Sequence, residues 1–199
     1  SKIFHFDQGF DLYDEELLFY GPDRTKQGKF ETATEIHRRA LEWLDSKKED
    51  PFFLYLHYRD VHGPYLPPPS YSKMFWDDEG DHRKLSKAEY QRLPKYLRRK
   101  HDHGVLEYYV SQYDAEIRYT DDRIGEFLSQ LEARGLLENT VIVVTSDHGE
   151  SFLEHGRWNH GTGLYQEEIH TPLLLVLPGS KLAGSRITDP VQTHDLYPT

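Results

Sequence analysis

The sequence has 199 residues, with 24 Lys plus Arg against 34 Asp plus Glu, for a formal net charge of −10. That length suits one domain, and the acidic balance argues against a nucleic-acid partner, which needs a basic face to meet phosphates. There is no apolar run of membrane-spanning length, and the absence of cysteine excludes disulfides and cysteine-held metal.

Residues 1–30 are polar, aromatic and irregular, with a turn signal at Gly21-Pro22-Asp23. They read as a surface connection. Thr32-Ala33-Thr34-Glu35 has the spacing of a capping box, and Ile36, Ala40, Leu41 and Leu44 follow at helical spacing. This helix should stop near Ser46 to Glu49, ahead of the break at Asp50-Pro51. Phe52 to Tyr58 reads as a strand by its aromatic and apolar run. Helix followed by strand at this spacing argues for an α/β layered fold.

The loop from Val61 to Pro69 places His62 just past that strand, where an imidazole can donate to an anionic oxygen. His57 lies inside the strand and reads as structural. Residues 70–104 are long and charged and read as a loop insertion. Their basic end, Arg92, Lys95, Arg98, Arg99, Lys100, His101 and His103, is a candidate for holding an anionic substrate such as a sulfated glycan. From Leu106 to Arg134 a long helix is expected, with a stripe of Tyr109, Tyr113, Ile117, Ile124, Phe127, Leu128 and Leu131 and a stop at Gly135. Asp114, Asp121 and Asp122 fit a polar helix face better than a metal site.

Val141 to Val144 is a run of four β-branched apolar residues, the pattern of a strand buried on both faces. It ends in Ser146-Asp147-His148-Gly149-Glu150. Open α/β sheets bind ligands just past the carboxyl ends of their strands. Asp147 and His148 there can supply oxygen and nitrogen to one metal. Gly149 allows a sharp turn. Thr171-Pro172 opens another buried strand, Leu173 to Leu177, and Pro178-Gly179 ends it.

These motifs, taken jointly, resemble the sulfatases, a branch of the alkaline-phosphatase superfamily. The matching residues are Ser146-Asp-His-Gly-Glu150, then Glu154-His155-Gly156, then Asn159-His160-Gly161, Tyr165, and Pro172 before an apolar strand. Pro51 to Tyr65 resembles the family's strand and loop that deliver an active-site His. His194-Asp-Leu-Tyr-Pro-Thr199 resembles its closing D-x-x-P-T segment. The resemblance covers about residues 30–66 and 105–199. It implies an α/β fold with a mostly parallel central sheet and helices on both faces, here incomplete. It also implies metal-dependent hydrolysis of sulfate monoesters, small or glycan, and an exported location: periplasmic, extracellular or lysosomal.

Carried onto this chain, the resemblance makes Asp147 and His148 metal ligands, and makes His62 and His160 the catalytic pair on the substrate side. His155 is a further candidate for substrate binding. The family's formylglycine nucleophile arises from a Cys/Ser-x-Pro-x-Arg motif, which this sequence lacks, as it lacks the first strand with paired Asp ligands. The expectation is therefore the second part of a longer catalytic domain, inactive in isolation. Two positions depart from the commonest pattern: His148 stands where many sulfatases have Asn, and His160 where many have Lys. Both variants also resemble phosphodiesterases and phosphoethanolamine transferases of the superfamily, which are the alternative reading; a metal-free binding module is another. Calcium is the expected metal, with zinc or manganese favoured by a nitrogen ligand.

Overall fold

The computed structural model describes residues 4–15, 32–47, 51–101, 103–180 and 182–196. The readings at Gly21-Pro22-Asp23, at Asp50 and at Tyr197 to Thr199 fall outside them, as does the Thr32 side chain of the capping box.

Helix α1 (Thr32–Ser46) buries Ala40 and Leu44. Its first turn is satisfied from a distance, because Asp60 Oδ1 accepts the Ala33 N–H at 3.3 Å. Phe52, Leu54 and Leu56 pack on the same cluster, which also holds Phe127 and Leu131. Burial alternates along 51–58, with Phe53, Tyr55 and His57 facing out. This is the period of a strand, but the segment has no ladder partner among the described residues.

The segment 70–104 is not an open loop. It carries three short helices, α2 (Pro69–Ser72), α3 (Lys87–Arg92) and α4 (Lys95–Lys100). A full capping box, Ser86 with Glu89, starts α3. Leu93 and Leu97 are buried with Tyr65, Tyr109, Phe152 and Trp158. Two leucines and their aromatic partners anchor the segment, and its high charge hid that pattern.

Helix α5 (Leu106–Ala133) is the long helix expected. It ends in a Schellman arrangement: the Gly135 N–H bonds to Glu132 O at 2.8 Å and the Leu136 N–H to Leu131 O at 3.0 Å. Gly135 has φ 68°, which glycine adopts without a Cβ penalty. The buried face differs from the expected apolar stripe. Ser111, Gln112, Glu116 and Thr120 are buried, whereas Ile117 is exposed. Two of them find partners on distant chain: Gln112 bonds Ser72, and one Glu116 oxygen accepts the Leu66 N–H at 2.7 Å.

Strand β1 (Ile142–Thr145) pairs antiparallel with β4 (Leu173–Val176), Ile142 opposite Val176 and Thr145 opposite Leu173. Between them lie the two-stranded hairpin β2 (Ser151–Phe152) and β3 (Trp158–Asn159), and the short helix α6 (Gln166–Ile169). The architecture is α/β. The described strands nevertheless form two separate two-stranded antiparallel ladders, not one parallel sheet joining 52–58, β1 and β4. Burial on both faces is likewise not seen: Val143 and all four residues of β4 are exposed. A continuous apolar run specifies sides to be covered; it does not specify the neighbour or its direction.

Candidate active site

The loop after β1 carries Asp147 and His148. Asp147 Oδ1 accepts the His148 N–H at 3.0 Å, which leaves Oδ2 turned toward the imidazole. His148 Nδ1 donates to Gly149 O at 2.8 Å, so its Nε2 lone pair is free for a ligand. Oδ2 and Nε2 stand 3.7 Å apart. One divalent cation can span that gap at metal–ligand distances of about 2.0–2.4 Å, so the two side chains fit part of a metal site. No group of three or more such ligands occurs among the described residues.

Gly149 serves a different purpose from the turn expected of it. Its φ is not positive; a Cβ there would lie 2.1 Å from the Glu167 carbonyl oxygen. The loop is docked against α6, with the Gly149 N–H bonded to Glu168 O at 2.8 Å. Only a residue without a side chain permits this approach.

His160 stands in the middle of three histidines. Its ring lies 3.8 Å from that of His148 and 5.8 Å from that of His62. The flanking residues Asn159 and Gly161 both have positive φ, 74° and 78°. Asn and Gly tolerate that conformation, so the Asn-His-Gly sequence suits a backbone twisted to present one imidazole. The Glu168 carboxylate holds the next turn by accepting the N–H groups of Thr162 and Gly163 and the Ser151 hydroxyl.

Glu150 is the residue that the sequence reading passed over. One of its oxygens meets His160 Nδ1 at 3.1 Å, and the other accepts the Tyr65 hydroxyl proton at 2.6 Å. Its side chain is only 6 % exposed, against 70 % for Asp147. Burial, then the Glu150 charge, holds the Tyr65 phenol far above its usual range, so it stays a donor. The same two causes push Tyr113 up to about 12.

His62 donates from Nδ1 to Gly63 O at 2.8 Å. Crowding by protein lowers its pKa despite an exposed edge; the Gly63 carbonyl opposes this, and Arg59 and His160 add to it. His155 belongs to a different contact: it bonds Glu167 at 2.6 Å and stacks on Tyr165 at 3.8 Å. The basic stretch 92–103 is dispersed. Arg92 donates to Gly156 O at 3.2 Å, and His101 is buried against Tyr108 and Tyr109. The structure thus gathers His62, Asp147, His148 and His160, and leaves His155 and the basic stretch apart.

The chain is thus an α/β domain with a polar centre past a strand end, the place where open α/β sheets bind ligands. Two solved structures share the fold: the protein yidJ from Bacteroides fragilis and the phosphonate monoester hydrolase SpPMH from Silicibacter pomeroyi. The first gives a TM-score of 0.64 at 23 % identity, covering 84 % of this chain and 35 % of its own. The second gives 0.57 at 21 %, covering 74 % and 33 %.

The family model Sulfatase matches residues 2–199, and the chain belongs to the sulfatase family. Arylsulfatase K from Canis lupus familiaris is 30 % identical over 211 residues, covering 89 % of this chain and 37 % of that protein. Arylsulfatase K from Homo sapiens is 28 % identical over 210 residues, with the same coverage. The chain therefore spans little more than a third of the length of these relatives. The family generally implies a divalent metal and a formylglycine.

Proposed function

We propose that this chain supplies one part of a single sulfatase-type catalytic domain that hydrolyses sulfate monoesters. The observation that carries the reading is the cluster of His148, His160 and His62 past β1, within a chain matched along its length by the sulfatase family. Asp147 and His148 hold the metal, which when bound neutralises charge on the sulfate oxygens. His62 and His160 face the ester; one donates to an ester oxygen and one protonates the leaving group. His155 has a supporting role through Glu167.

Calcium is the first choice of metal; the nitrogen ligand keeps zinc and manganese as rivals. The nucleophile, a formylglycine, comes from sequence outside these 199 residues. Strands from that outside sequence cover the exposed faces of β1, β4 and 52–58. The substrate is a small or glycan sulfate ester, and the compartment an exported one: periplasmic, extracellular or lysosomal. Among the described residues no helix is long and apolar enough to cross a membrane. The arylsulfatase relatives do not favour the phosphodiesterase, transferase or metal-free binding readings.

The test is a substrate panel on the full-length protein, with aryl sulfate, aryl phosphate diester and aryl phosphonate assayed before and after chelation. Sulfate turnover that exceeds the other two and is lost on chelation is the expected result. Faster cleavage of a phosphorus ester overturns the reading.

A further inference from the structure

We propose that Glu150 is the positioning residue for His160, tethering that imidazole to the core through Tyr65. The inference rests on the placement of His160 at the substrate side. A lysine ammonium, which many sulfatases carry at this point, offers three rotatable donors and needs little orientation. An imidazole has one useful nitrogen on each edge, so both its ring plane and its tautomer must be set by a partner. Glu150 does both.

A carboxylate is an acceptor only, so its 3.1 Å contact places a hydrogen on His160 Nδ1 and turns Nε2 to the opposite edge of the ring. The second oxygen is held at 2.6 Å by Tyr65, which is 1 % exposed and packs with Tyr113, Phe152 and Tyr109. The tether therefore runs from the ring to a buried, closely packed tyrosine. It acts together with the positive φ values at Asn159 and Gly161, which fix the backbone on either side. Neither Glu150 nor Tyr65 touches the open face of the site, where Asp147 is 70 % exposed. Glu150 thus works through His160 and is not itself catalytic.

The experiment measures kcat and KM for an aryl sulfate on the full-length protein and its variants Glu150→Gln, Tyr65→Phe, His160→Ala and Glu150→Gln with His160→Ala. Glu150→Gln keeps the size of the side chain and an acceptor for Tyr65. It should lower kcat by about 10-fold or more, the usual effect of losing such a partner, while KM and the denaturation midpoint stay near wild type. Tyr65→Phe should lower kcat in the same direction by less. In the double variant the two losses should not multiply, because the tether has nothing left to orient once the ring is gone. A normal kcat in Glu150→Gln beside a slow His160→Ala overturns the tether and leaves the site reading intact; so do losses that multiply. A normal kcat in His160→Ala overturns the assignment of His160, and the tether with it.

Discussion

Asp60 accepts the backbone N–H of Ala33, 27 positions earlier in the chain, at 3.3 Å, and both residues are buried. The loop that delivers His62 thereby caps the helix that precedes the strand. This contact couples the site loop to the α1 layer. Replacing Asp60 with Ala should cost about 0.5–2 kcal/mol, as for other lost helix caps, whereas Asn should recover much of it. Denaturant midpoints of the two variants check this; equal losses would show that the cap is not what Asp60 contributes.

Glu116 is 1 % exposed, and its second oxygen has no hydrogen-bond partner. Burial raises its pKa well above the ordinary value; the Leu66 N–H opposes this and the Asp60 charge adds to it. The folded chain therefore holds this proton more tightly than the unfolded chain. Its stabilising effect is complete below the unfolded pKa and is lost as pH rises through the folded one. From about pH 4.3 upward, wild-type stability should fall relative to Glu116→Gln by up to about 1.4 kcal/mol per pH unit. Midpoints measured across that range decide it; parallel curves would show that Glu116 ionises alike in both states.

Gly149 should not accept a side chain. The Cβ of Gly149→Ala would meet the backbone oxygen of Glu167 at 2.1 Å, and a backbone oxygen cannot rotate away. The loop must lift from α6, at a cost of about 1–3 kcal/mol, typical of overpacking. It carries Asp147 and His148 with it, so divalent-metal affinity of the full-length protein should fall in step with the denaturation midpoint. A Gly149→Ala protein with wild-type affinity and midpoint would show that the loop relaxes freely.

Strong periodic signals were legible in the sequence. The α5 helix and its stop at Gly135, the strand at Ile142–Thr145 and the site loop after it all lie where the residues put them. Contacts set by distant chain were not legible. Glu150 reads as one more acid beside a glycine until Tyr65, 85 positions away, reaches its oxygen. Gln112 and Glu116 lie outside the apolar stripe of α5, yet a helix can bury such polar groups where distant chain supplies partners. The pairing of β1 with β4 was hidden for the same reason, since neither strand encodes the direction of its neighbour. The Asn159-His160-Gly161 sequence did carry a signal for a presented imidazole, in two residues suited to positive φ on either side of a histidine.

Metal affinity and turnover should separate this chain from a complete sulfatase domain. Asp147 and His148 offer two ligands 3.7 Å apart on an open loop, and a metal is held tightly only when several ligands are fixed together. The sequence also lacks the Cys/Ser-x-Pro-x-Arg precursor of formylglycine, and without a nucleophile the remaining electrostatic groups retain only a small part of the rate. The 199-residue chain alone should neither hydrolyse an aryl sulfate nor bind calcium tightly by calorimetry. The full-length protein should do both, and Asp147→Asn should weaken its metal binding by about 10-fold or more, since it removes a charged ligand. Robust turnover by the 199 residues alone would place the nucleophile inside them and overturn the assignment of roles made above.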